Sequence, residues 1–142
     1  MPGGPSTTAE WTIALDLPAY AAIEAEVVAF LHDHGVDASA VFASQLVVEE
    51  TVRNLIEHTG ADPAVDTATI RLQVEPEAVI VRIEDGRPPF DPFDAPRLDA
   101  GAPLEERRAG GMGLHLVREL TDALSYERIG DRNRLTATVA RT

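Results

Sequence analysis

Glu50, Asn54 and His58 stand four residues apart in the run Val47-Val48-Glu49-Glu50-Thr51-Val52-Arg53-Asn54-Leu55-Ile56-Glu57-His58. No Gly or Pro interrupts that run before Gly60, and Val48, Val52, Leu55 and Ile56 share one side of the helix it predicts. The spacing therefore stacks a carboxylate, a carboxamide and an imidazole one turn apart, on roughly the opposite side. A carboxylate and a carboxamide aimed the same way suit a hard divalent cation and the water or hydroxyl beside it. The wet face of an ordinary amphipathic helix has the same pattern, so alone the stripe specifies nothing.

Two later stretches carry further chemistry. In Ile83-Glu84-Asp85-Gly86-Arg87-Pro88-Pro89-Phe90-Asp91-Pro92 a strand runs straight into an Asp and a Gly. That places a carboxylate at a sheet edge, where it can accept a hydrogen bond from an amino group such as an exocyclic adenine amine. A plain Asp-Gly turn is the bland alternative. In Gly110-Gly111-Met112-Gly113-Leu114-His115-Leu116-Val117 closely spaced glycines open a helix. Backbone N–H groups can approach an anion there, and the helix N-terminus favours negative charge. A glycine-rich hinge would look the same.

The elements that must position these groups follow from periodicity. Residues 11–17 alternate and predict a strand, ended by Pro18. Residues 19–34 predict a helix through Ile23, Val27, Phe30 and Leu31, stopped by Gly35. Asp37 or Ser39 can cap the next helix, which runs to about His58. Residues 66–74 and 78–84 predict two strands joined through Glu75-Pro76-Glu77. Pattern then disappears until Gly111, in a stretch holding Pro88, Pro89, Pro92, Pro96 and Pro103, which marks a lid or binding loop at about 86–110. A helix over 113–124 and strands over 123–128 and 134–140, turned at Gly130-Asp131, complete the chain. The order implies an α+β two-layer sandwich, with helices on one face of a mixed, mainly antiparallel sheet. Residues 1–9 form a floppy leader and 10–142 one domain.

Composition narrows the function classes. With 24 acidic and 12 basic residues, every basic one Arg, the formal charge is −12. That disfavours direct nucleic-acid binding and suits a partner protein with a basic face. No cysteine is present, which excludes thiol nucleophiles and zinc–thiolate sites, and no lysine is available for a P-loop. No apolar run approaches the roughly 20 residues of a membrane span. A cytoplasmic protein without membrane contact is the expectation.

Taken in order, with the lid between the second and third, the three stretches resemble the ATP-binding module shared by gyrase, Hsp90, histidine kinases and MutL. The forms E-x-x-x-N-x-x-x-H, D-x-x-P-P-F-D-P and G-G-x-G-L-x-L-V-R-E-L-x-D are similar to those of the bacterial anti-sigma factor serine kinases. The resemblance covers about residues 11–141 and implies the histidine-kinase-like (Bergerat) ATPase fold, with ATP and Mg²⁺ as cofactors. It implies that Glu50 is the general base, that Asn54 supplies the oxygen ligand to Mg²⁺, and that Asp85 holds the adenine amino group. Gly86, Arg108, Gly110, Gly111, Gly113 and Leu114 complete the implied nucleotide-binding set. Arg107 and Arg108 could meet the γ-phosphate or stay solvated. Glu49 rivals Glu50 as base but sits five residues before Asn54, roughly 140° around the helix. His58 matches a recurrent position and equally suits a helix-end histidine.

One position departs from the family. It usually has glycine two residues after the adenine-binding Asp; here that residue is Arg87, whose side chain is expected to crowd the nucleotide. Were Gly86 to keep the glycine role, Glu84 would replace Asp85. The implied activity is an ATP-dependent serine/threonine-protein kinase that phosphorylates a STAS-type anti-sigma factor antagonist. Regulation of transcription through a sigma factor, and a homodimeric state, come with it. The alternative is a catalytically weak or inactive ATP-binding module that regulates a partner by association.

Overall fold

A computed structural model describes residues 7–93 and 113–142. Residues 94–112 lie outside them, and with them most of the lid expected at about 86–110, including Arg107, Arg108 and Gly110, and Gly111 beyond it. The described elements are β1 (Thr8–Ala14), α1 (Leu17–Asp33), α2 (Ala38–His58), β2 (Thr67–Val74), β3 (Ala78–Asp85), α3 (Gly113–Leu120), β4 (Ala123–Ile129) and β5 (Arg132–Ala140). The strands form one sheet in the order β1-β2-β3-β5-β4, and every pairing is antiparallel. The expected mixed sheet therefore has no parallel pair among the described strands.

Two capping aspartates set the helix starts. Asp16 Oδ1 accepts from the Ala19 amide at 2.7 Å, and Pro18 lies in that first turn, where its missing N–H costs nothing. Asp37 Oδ2 caps α2 from the Ala40 amide at 3.2 Å, while Ser39, the other candidate, donates its hydroxyl to that same carboxylate. Because Asp16 begins α1, the first strand cannot run to residue 17. It ends at Ala14 and starts early, with Thr8 and Ala9 of the expected leader paired to Gln73 and Leu72. At the other end α3 stops at Leu120, short of residue 124, because Asp122 and the strand after it join β5: the Asp122 amide donates to Thr138 O at 2.8 Å. Gly130, at φ +58°, turns the β4–β5 hairpin in the left-handed region that favours glycine.

The helices cover one face of the sheet. Val27 and Leu31 of α1 and Val47, Val48, Val52 and Leu55 of α2 bury against Ile70, Leu72, Val79, Val81, Ile83 and Ala137. Removing each such side chain from water contributes about 1.5–3 kcal/mol, so this apolar layer dominates the fold. Strand alternation sends every second residue of β3 inward: Val79, Val81, Ile83 and then Asp85. The core stripe thus ends on a carboxylate, and that places the site.

Candidate functional site

An open cleft lies between α2, α3 and the β3–β5–β4 end of the sheet. Glu50, Thr51, Asn54 and Leu55 supply its α2 wall, Leu114 and Val117 its α3 wall, and Ile83, Asp85, Leu124, Tyr126, Asn133 and Leu135 its sheet floor. Phe90 and Pro92 close one side. Glu50 and Asn54 are half-buried in this cleft, beside the core stripe, and do not form the outward wet face that their helical position suggested. Sheet and α3 both flank α2, so a residue well away from the buried stripe still meets protein.

Asp85 is 2 % exposed. Its Oδ1 accepts from the Arg87 amide at 2.8 Å and from Asn133 Nδ2 at 2.9 Å. Among the described residues both hydrogen bonds go to that one oxygen, which leaves Oδ2 as an acceptor in a cleft walled by apolar side chains. Burial raises the Asp85 pKa; the bonds from Asn133 and the Arg87 amide, and the more distant Arg132 and Arg128, pull the other way. Glu84, the alternative to Asp85, points to the opposite face of the sheet and pairs with Arg134 at 3.0 Å and Arg132 at 3.5 Å.

Asn133 is the residue the sequence reading missed. It is 3 % exposed and sits directly across the ladder from Asp85. Its Nδ2 also donates to Arg87 O at 3.2 Å and Pro88 O at 3.0 Å. Its Oδ1 accepts from the Phe90 amide at 3.1 Å, the Tyr126 hydroxyl at 2.6 Å and Arg128 at 3.2 Å. Acceptors on one side and donors on the other fix the orientation of the amide. One side chain thus ties the Asp85 carboxylate to the turn that follows β3. In sequence, Asn133 follows Gly130-Asp131-Arg132 and reads as hairpin punctuation; only the register with β3 reveals its role.

Arg87 turns away from the cleft. Its guanidinium donates to Thr59 O and, at 3.2 Å, to Thr59 Oγ1, and it pairs with Asp66 at 3.0 Å. The side chain links the end of α2 to the loop before β2 and does not line the cleft. Gly86 also stays off the cleft wall: among the described residues an added Cβ would meet only Arg132, at 4.0 Å.

Gly113 is different. A Cβ there would come within 1.9 Å of Glu50 Oε2 and 2.2 Å of its Cδ. The start of α3 presses on the Glu50 carboxylate, so any side chain at 113 would push that carboxylate aside. Burial raises the Glu50 pKa, Arg53 at 3.9 Å lowers it, and Glu49 and Glu57 raise it again. A carboxylate whose affinity for protons is increased is a better base. Glu49 lines a separate groove with Tyr20 and Phe42, which removes it from this site. His58 is exposed at the end of α2 and stacks on Phe90, centroids 5.5 Å apart and planes at 13°.

The structure therefore brings together Glu50, Asn54, Asp85 and Leu114, with Gly113 against Glu50. An apolar slot with one buried acceptor fits a flat heterocycle bearing an amino group. Among the described residues no group of three or more His, Asp or Glu is arranged as a metal cage, so a cation beside Asn54 would take other ligands from the molecule it accompanies.

The profile of the histidine kinase-like ATPase domain family matches residues 13–139. The serine/threonine-protein kinase BtrW of Bordetella bronchiseptica is 34% identical over 99 residues, 68% of each chain. The solved structure of the RsbU and RsbW domains of Rv1364c from Mycobacterium tuberculosis superposes on 96% of this chain with a TM-score of 0.63 at 16% identity. This chain spans about a third of that one, 33%.

Proposed function

The chain belongs to the histidine kinase-like ATPase domain family, and from that premise we propose that it is an ATP-dependent serine-protein kinase of the anti-sigma type. The observation that carries the nucleotide reading is the Asp85 carboxylate, buried in an apolar cleft with one oxygen saturated and the other available to an adenine amine. The name of the 34% identical relative supports the kinase reading. The substrate is a serine on a STAS-type anti-sigma factor antagonist, a sigma factor is the second partner, and the chain works as a homodimer.

In this reading Glu50 accepts the proton of the serine hydroxyl as its oxygen bonds to the γ-phosphorus. The bond from that phosphorus to the ADP oxygen breaks. Asn54 would offer its carboxamide oxygen to Mg²⁺, which when bound would neutralise phosphate charge. Gly110, Gly111 and Arg108 would approach the phosphates from the lid side, and Gly113 holds the Glu50 carboxylate in place. Leu114 and Val117 keep water from the slot.

Two substitutions separate binding from chemistry. Asp85→Asn preserves the shape but can set an NH₂ against the adenine amine; calorimetric titration with Mg-ATP should show about tenfold to hundredfold weaker binding. Glu50→Gln should bind ATP like the parent and lose phosphate transfer to the antagonist by about 10²–10⁴-fold. Undiminished binding by the first variant would refute the adenine contact. Parental transfer by the second would leave Glu50 without a catalytic role and favour regulation by association alone.

A further inference from the structure

A second concavity, with about 430 Å³ of empty space, lies between α1 and α2 and is lined by Tyr20, Glu24, Phe42, Gln45, Leu46 and Glu49. It shares no lining residue with the nucleotide cleft. Phe42 is 57 % exposed although its neighbours Val41 and Ala43 are buried, so α2 leaves an aromatic ring in water at this point. Glu24 and Glu49 form no ion pair with any described residue. Tyr20 is 3 % exposed, and its hydroxyl interacts with the Glu24 carboxylate outside full hydrogen-bond geometry. Burial, then the charges of Glu24 and Glu49 and the hydroxyl's own interaction with Glu24, hold that hydroxyl above the usual tyrosine range, so it stays neutral and its oxygen can still accept.

Two carboxylates without an ion pair, a buried hydroxyl beside one of them and a carboxamide around an exposed ring call for a cation with several donors and apolar faces. A guanidinium has five N–H donors in a fixed plane and stacks on aromatic rings; an ammonium has three and does not stack flat. The chain's formal charge of −12 draws basic surfaces toward it.

We propose that this groove receives an arginine side chain of a partner protein, its guanidinium between Glu24 and Glu49 and against the Tyr20 hydroxyl, its stem on Phe42 and Leu46. The proposal does not depend on the nucleotide site.

The test is a titration of ¹⁵N-labelled protein with the peptide acetyl-Leu-Arg-Leu-amide and with the same peptide carrying citrulline, which keeps the shape and loses the charge. The arginine peptide should shift the amides of Tyr20, Glu24, Phe42 and Glu49 saturably, and citrulline should weaken that binding at least about tenfold. The double variant Glu24→Gln, Glu49→Gln should lose about tenfold as well, its own spectrum reporting that it is folded. Equal binding of both peptides, shifts absent from these residues, or unchanged affinity in the double variant would overturn the proposal. So would a change in the sedimentation of the free protein on Phe42→Ala, because a second copy of the chain would then fill the groove.

Discussion

Asn133→Asp keeps the shape of one buried side chain and inverts half of its hydrogen bonding. The oxygen that accepts from the Phe90 amide, the Tyr126 hydroxyl and Arg128 is retained. In place of Nδ2, a second oxygen would face Asp85 Oδ1, Arg87 O and Pro88 O, all of them acceptors. Losing a buried hydrogen bond to a charged group costs about 1.5–3 kcal/mol, and contact between two carboxylates adds to that, relieved in part by Arg128. A loss of about 3 kcal/mol at roughly pH 8, at roughly 4 °C per kcal/mol for a domain of this length, lowers Tm by about 12 °C. The pair would retain one proton in the folded state, so its folded pKa lies above the unfolded one. Stability is then lost as pH rises through that raised value and is regained on acidification. Thermal melts of parent and variant between roughly pH 5 and pH 8 measure both effects. A variant that melts within about 2 °C of the parent at roughly pH 8, or a deficit that does not shrink at roughly pH 5, would refute the role given to Asn133.

Gly113→Ala gains about 1 kcal/mol of backbone entropy and forces the Glu50 carboxylate aside, so stability should change by no more than about 1 kcal/mol. Phosphate transfer should fall about hundredfold in the same protein, measured as phosphoserine formed; parental transfer would detach the position of Glu50 from the chemistry. Arg87→Ala removes the link from Thr59 to Asp66 and should cost about 1–3 kcal/mol in a urea melt, with ATP affinity changed less than about threefold. A tenfold gain in affinity would restore the idea that this side chain obstructs the nucleotide. Glu50 has a folded pKa above its ordinary 4.5, chiefly through burial, so parental stability falls as pH rises through that folded value. Glu50→Gln lacks this penalty: its Tm should match the parent's at roughly pH 4 and exceed it at roughly pH 7. A lower Tm than the parent at the higher pH would contradict the sign.

Much of the fold was legible because its signals are local. Asp37 caps α2 with its own side chain, Gly35 and Gly130 take the positive φ that ends α1 and turns a hairpin, and β3 alternates along its whole length. The pairing of Glu50 with Asn54 needed only helical periodicity, and Asp85 only the strand that leads into it. Boundaries shifted where a partner in another element set them, as at Ala14 and at Leu120.

What tertiary structure alone decided is where each side chain points and what it meets. A strand's alternation fixes two faces but not which one meets the helices, so it is the α2 layer over β3 that turns Asp85 inward and Glu84 outward. Arg87 could have entered the cleft until Thr59 and Asp66, 28 and 21 residues earlier, proved to hold its guanidinium. Asn133 meets Asp85 across 48 residues of sequence, and Glu49 meets Tyr20 in a groove between two helices. The chain by itself determined which chemistry was available; register and packing, which depend on contacts far apart in sequence, determined which groups reach it.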